Sequence, residues 1–79
     1  MKVKKIKWVE GTAGFDRGYV NHIRLFECGY DVLGMENTET PFVLSSYLPG
    51  IKTFHCKEME ECKIKAQYFL VEFVKYLLD

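Results

Sequence analysis

The C-terminal part of the chain constrains the fold most, because it is long, periodic and free of helix breakers. Residues 57 to 78 read KEMEECKIKAQYFLVEFVKYLL, with no Gly or Pro and many good helix formers. Apolar side chains recur there at three- and four-residue steps, which places them on one helical face: Met59, Cys62, Ala66, Phe69, Leu70, Phe73, Val74 and Leu77. The pattern predicts an amphipathic α-helix over about residues 57 to 78.

The preceding residues have the character of short strands separated by turn residues. The predicted strands cover about residues 3–10, 15–20, 23–33 and 41–48. Ile6 and Trp8 alternate with lysines and are expected to point inward. Because the links between strands are short, we expect an antiparallel arrangement. The sequence therefore predicts an α+β fold, a meander sheet of three to four strands with one C-terminal α-helix packed on one face.

Turn chemistry defines the strand ends. Asn21 and His22 separate two predicted strands, and Asn tolerates left-handed geometry, which favours a two-residue hairpin. The apolar parity shifts between Leu25 and Phe26, which indicates a bulge or a strand partly covered on both faces, and Gly29 is a second candidate for the irregularity. The helix start is expected near Cys56, at the position where a capping residue would stand.

Composition indicates one small domain over residues 1–79 with a balanced charge. Eleven basic and eleven acidic residues give a formal charge of zero, so no global field attracts nucleic acid or an anionic membrane. Three cysteines, an odd number, argue against a disulfide framework and for a reducing compartment. No apolar run reaches the length of a membrane span. We therefore expect a soluble, cytoplasmic protein.

The motifs of catalysis and metal binding are weak in this sequence. Cys56 and Cys62 are separated by five residues, which is not the spacing of zinc knuckles, and buried thiols account better for Cys62 and Cys28. His55 lies next to Cys56 in sequence, but no third group that would orient a catalytic pair is evident. The sequence predicts no enzyme, no metal site, no cofactor and no small-molecule substrate.

One side of the predicted helix carries apolar residues outside the main apolar face, which indicates a partner-binding strip. The residues expected to bind a partner are Ile64, Tyr68, Val71 and Lys75. A homodimer through this strip is the simplest version. Alternatively, a twisted sheet or the loop of residues 34–40 covers these side chains.

A second hypothesis is a nucleic-acid surface on the sheet face away from the helix. Its residues combine cations with one aromatic ring: Lys4, Lys5, Lys7, Trp8, Arg17 and Arg24. The strand and helix order resembles AP2-type DNA-binding domains and the amino-terminal domains of some phage integrases, whose sheet enters the major groove. The alternative is that the lysines protect an edge strand from aggregation.

Residues 18–26, GYVNHIRLF, residues 46–52, SYLPGIK, and the final helix with its acidic start resemble small proteins from phages and prophages of Gram-positive bacteria. The resemblance implies an accessory factor that binds a host protein, a role that includes inhibitors of host defence systems. We therefore predict a non-enzymatic binding protein whose partner is a host macromolecule or a second copy of the chain, with no membrane association.

Overall fold

The structure is a computed structural model that describes residues 3–11, 14–30 and 39–78. These parts contain β1 (Lys7–Glu10), β2 (Phe15–Val20), β3 (Ile23–Tyr30), β4 (Phe42–Ser46), β5 (Phe54–Cys56) and α1 (Met59–Leu78). Each strand pairs antiparallel with its neighbour in sequence, in the order β1-β2-β3-β4-β5. The predicted α+β meander with one C-terminal helix is confirmed, with five strands in place of three to four.

The hairpin between β2 and β3 turns at the predicted two residues. Asn21 has a φ of 58°, a left-handed conformation that Asn tolerates better than most residues. The turn between β1 and β2 is closed by the Gly11 amide, which donates to the Phe15 carbonyl at 2.8 Å. Gly14 in that turn has a φ of 77°, which is unstrained only for glycine.

A β-bulge in β3 lies where the apolar parity of the sequence shifts. Gly18 pairs with Phe26, whereas the next residue, Tyr19, pairs with Arg24. Leu25 is therefore the extra residue, and the bulge restores Phe26 to the face that the helix covers. The predicted irregularity is confirmed at this position and not at Gly29.

Gly29 lies in the regular register of β3, and its lack of a side chain leaves room for the Phe15 ring. A Cβ atom at Gly29 would lie 2.7 Å from a ring carbon of Phe15 and 2.9 Å from the Gly14 carbonyl oxygen. The glycine thus permits a close approach of a ring and a turn to β3.

The first and fourth strands are shorter than predicted. β1 begins at residue 7 and not at 3, and β4 runs from residue 42 to 46. The stretch expected to be a connection contains β5, which pairs with β4. Residues 31–33 of the predicted third strand and 34–38 of the predicted loop lie outside the described residues.

The core lies between one face of the sheet and α1. Its buried side chains among the described residues are Ile6, Phe26, Cys28, Leu44, Cys56, Cys62, Ala66 and Leu70. Trp8 packs against this cluster, so both predicted inward positions of the first strand are confirmed. Phe54 meets Phe69 edge to face at 5.8 Å, which closes the corner between sheet and helix. Full burial of a side chain as large as Phe26 contributes about 1.5–3 kcal/mol.

The helix begins two residues later than predicted. The Glu58 carbonyl accepts the Cys62 amide at 3.3 Å, so Cys56 does not occupy the capping position. Glu60 and Glu61 lie in the first turn, where negative charge meets the positive end of the helix dipole. Leu77 belongs to the apolar helical face by periodicity, but its side chain is 66% exposed.

Two of the cysteines form a disulfide bond, which corrects the expectation of reduced thiols. Cys56 at the end of β5 is bonded to Cys62 in the second turn of α1, with Cα atoms 5.9 Å apart. The bond closes a loop over six positions of the chain and fixes the start of the helix to the edge strand. Cys28 is a free, buried thiol.

Candidate protein-binding surface

The side of α1 opposite the sheet exposes apolar side chains to solvent. We call Ile64, Tyr68, Val71 and Lys75 the outer face. Ile64 is 69% and Tyr68 56% exposed, Val71 is half-buried, and the Lys75 side chain is 68% exposed. Since Cys62, Ala66 and Leu70 face the sheet, helical geometry places the outer face on the far side. The four residues predicted to bind a partner thus share one surface.

A second apolar surface lies between the C-terminal part of α1 and the turn of residues 49–51. It is a groove of about 580 Å³, here called the terminal groove, lined by Pro49, Gly50, Ile51, Phe69, Glu72, Phe73, Tyr76 and Leu77. Tyr76 is 81% exposed, and Leu78 beyond it is also exposed. Gly50 has a φ of 83°, which turns the chain after Pro49 so that it runs beside the helix.

The terminal groove is not evident from the sequence, because helical periodicity shows which side of α1 is apolar but not which part of that side the rest of the chain covers. Periodicity assigns Leu77 to the apolar side of the helix, but this side chain lines the groove beside the turn of residues 49–51 and is 66% exposed. The exposed run of Tyr76, Leu77 and Leu78 at the end of the helix is the signal that could have located this surface.

Charged side chains flank the apolar helix surface. Glu72 lies 3.8 Å from Lys75, and both side chains are about half exposed or more. The Lys65 ammonium lies 5.8 Å from the ring centres of both Phe54 and Tyr68. Such cation–π contacts hold the lysine across the apolar surface while its charge stays in water.

The predicted nucleic-acid residues do not share one face. Trp8 pairs with Gly18 and lies on the helix side, where the Lys63 ammonium is 5.4 Å from its ring centre. By strand alternation, Lys7, Arg17 and Arg24 lie on the opposite face, here called the open face. The placement of Trp8 with these cations is therefore wrong.

The two remaining lysines of that set lie at the edge of the sheet. Lys4 donates to the Asn21 side-chain oxygen at 2.8 Å, and Lys5 is exposed. Both precede β1, so neither is part of a strand.

An acid interrupts the cations of the open face. Glu27 pairs across the strands with Arg17 and lies 3.8 Å from Arg24. The Tyr47 hydroxyl donates a hydrogen bond to Glu27, and because ionisation would lose this bond, it raises the pKa of Tyr47. Arg24 also lies over the Tyr47 ring at 5.0 Å. These contacts neutralise part of the positive charge.

The cysteines and histidines form no metal cluster within the described ranges, where no group of three potential ligands comes together. Burial raises the pKa of Cys28 to about 11, so this thiol stays protonated near neutral pH. Its sulfur lies 3.9 Å from the Met59 carbonyl oxygen. Cys28 is thus a core residue with the chemistry of a weakly reactive thiol.

Gln67 has a structural role that no sequence pattern indicates. Its side-chain oxygen accepts a hydrogen bond from the Ile6 amide at 2.9 Å, and its side-chain nitrogen donates to the Lys4 carbonyl at 3.2 Å.

The only helix in the described part of the chain, α1, is not apolar enough over a sufficient length to cross a bilayer.

Fold and surface together define an α+β chain with one open sheet face and an incompletely covered helix. No protein-family model matches the chain, and neither curated proteins nor solved structures show significant similarity to it.

Proposed function

We propose that the protein is a small non-enzymatic binding protein that contacts a macromolecular partner through the apolar surface of α1. The observation that carries the proposal is the exposure of large hydrophobic side chains along this one helix: Ile64, Tyr68, Tyr76, Leu77 and Leu78. Exposed large apolar side chains concentrated on one helix are costly in water and are typical of protein interaction sites.

The chemistry of the surface favours a protein partner. Among the described residues, Glu72 is the only charged one that lines the terminal groove, and phosphate contacts require cations. Aromatic side chains such as Tyr68 and Tyr76 are enriched in the centres of protein interfaces. A phage-type accessory factor that binds a host macromolecule, including as an inhibitor of a host defence system, is the role we propose for such a surface.

The test compares charge substitutions on and off the helix. Tyr68→Glu and Leu77→Glu place a carboxylate on the outer face and in the terminal groove. Ile23→Glu is the matched control, because Ile23 is 63% exposed but lies on β3. The wild-type protein and the control are expected to retain the same partners from native host extract, whereas the helix variants lose them. Equal retention by all four proteins would refute the proposal.

Nucleic-acid binding is a second candidate, favoured by one observation. Lys7, Arg17 and Arg24 lie on the open face, which no helix covers in the described part of the chain. Binding of a fluorescent oligonucleotide that weakens steeply as salt rises, and that Arg17→Ala reduces, would support this candidate. Absence of binding at low salt would remove it.

A cytoplasmic location is part of the proposal and has its own test. The odd number of cysteines no longer argues for a reducing compartment, because Cys56 and Cys62 form a disulfide and disulfides are rare in the cytosol. Protein unfolded in acid and alkylated directly from host cells will show three reactive thiols if these cysteines are reduced in the cell. A single thiol, Cys28, would contradict a reducing location.

A further inference from the structure

The outer face, continued by Leu78, has the spacing of a coiled-coil seam. Ile64, Tyr68, Val71, Lys75 and Leu78 follow one another at steps of four, three, four and three residues. In heptad notation Ile64, Val71 and Leu78 occupy d positions, and Tyr68 and Lys75 occupy a positions. The helix residues that pack on the sheet, such as Ala66 and Leu70, then fall at f and c, on the far side from the seam.

From this spacing and the charges beside it, we propose that a second copy of the chain binds the outer face, with the two α1 helices antiparallel. The inference rests on the proposed binding function of this helix and names its partner. An antiparallel pair sets each a residue against a d residue of the other copy. The register that centres the two-fold axis between residues 69 and 70 places Tyr68 against Val71 of the second copy, and Lys75 against Ile64.

Charge complementarity selects this orientation. The e positions beside the seam carry Lys65 and Glu72, and in the antiparallel register Lys65 of each copy lies opposite Glu72 of the other. Within the described chain Lys65 contacts two rings but has no ion pair, and Glu72 has only the 3.8 Å contact with Lys75. The dimer thus gains two equivalent ion pairs.

A parallel pair lacks this complementarity. It would bring the two Lys75 ammonium groups together at the same a layer, which is unfavourable between like charges. The antiparallel pair instead lays the aliphatic stem of Lys75 on Ile64 and leaves its charge in solvent. It also opposes the two helix dipoles.

The test is sedimentation equilibrium of the full chain over about two orders of magnitude in concentration, with charge reversals at the e positions. Lys65→Glu and Glu72→Lys each turn both ion pairs into repulsions and are expected to weaken the dimer about tenfold. The double variant restores both ion pairs with the charges exchanged, and its dissociation constant is expected to be close to the wild-type value. Residues 65 and 72 are two helical turns apart, so the rescue does not arise within one chain.

Two further variants complete the test. Lys52→Glu reverses an exposed lysine outside the helix and is expected to leave the dimer unchanged. Tyr68→Glu is expected to give a folded monomer by circular dichroism and mass. If Tyr68→Glu does not fold, the charge-reversal series alone decides.

The outcomes separate this inference from the proposed function. A wild-type monomer at every concentration, or a dimer that the double variant fails to rescue, overturns the antiparallel pair. If the protein is monomeric but Tyr68→Glu still loses host partners, the proposed function stands and the second copy is excluded. In a third outcome, the double variant restores the dimer while the helix variants retain host partners as well as the wild type does. That result supports the antiparallel pair and overturns host-partner binding through this helix.

Discussion

Gln67 provides the most direct test of how the N-terminal segment is held. Residues 3 to 6 precede β1 and make no strand pairing, yet Ile6 is only 8% exposed. The two bonds from the Gln67 side chain to Ile6 and Lys4 take the place of strand pairing. Gln67→Ala removes both bonds and leaves the partly buried Ile6 amide without this acceptor.

The expected loss follows from the two bonds. Each contributes about 0.5–1.5 kcal/mol net, and the better helix propensity of Ala returns a few tenths, so the free energy of unfolding falls by about 2 kcal/mol. In a domain of this size that loss lowers Tm by about 8–16 °C. Gln67→Glu keeps the acceptor for Ile6 and loses the donor to Lys4, so we expect about half the effect.

Urea unfolding with two probes measures the prediction. Trp8 is the only tryptophan and reports on the β1 side, while far-ultraviolet circular dichroism reports on α1. Ile64→Ala is the control for truncation at a helix position, since Ile64 is 69% exposed, and it is measured at low protein concentration. The Gln67 side chain does not hold the segment if Gln67→Ala has the same free energy of unfolding as this control. The same conclusion follows if Gln67→Glu and Gln67→Ala both have the free energy of unfolding of the wild type.

Three further changes test the sheet and core. Gly29→Ala forces the Phe15 ring and the turn to move, and calorimetry is expected to show a loss of about 1–3 kcal/mol; an unchanged Tm would contradict the close approach. Asn21→Gly should be neutral or slightly stabilising in urea unfolding, whereas Asn21→Val should cost more than about 1 kcal/mol, because valine resists a positive φ. The Cys28 pKa of about 11 exceeds the usual 9.0, so the thiol ionises at lower pH in the unfolded chain, and the contribution of this group to stability is unchanged below pH 9 and falls by about 2–3 kcal/mol as pH rises to 11; Cys28→Ala should reduce this loss in urea unfolding, and the part that remains includes Tyr47, whose pKa is also raised.

The positions of the turns and of the bulge were predictable because they depend on local chemistry. Asn21 and Gly14 adopt left-handed conformations that few other residues tolerate. The parity shift at Leu25 and Phe26 marks the bulge because side chains alternate strictly between the faces of a strand. The fifth strand was missed because β5 has only three residues and depends on its pairing with β4.

The candidate surface was predictable only in part. The outer face follows from helical period alone, so Ile64 and Tyr68 were selected correctly as residues away from the sheet. The terminal groove depends on the turn of residues 49–51 lying beside the end of α1, which local periodicity does not encode.

The class of fold, the amphipathic helix and the tight turns follow from the order of the residues, because they depend on residue spacing and on backbone sterics within a few residues. The exposure of particular apolar side chains of α1, the set of cations on the open face and the meeting of Cys56 with Cys62 are evident only from the folded chain. The reason is that burial and bonding across the chain depend on the relative lengths and positions of elements far apart in sequence. The same periodicity in Leu70 and Leu77 therefore produces a core residue in one case and an exposed one in the other.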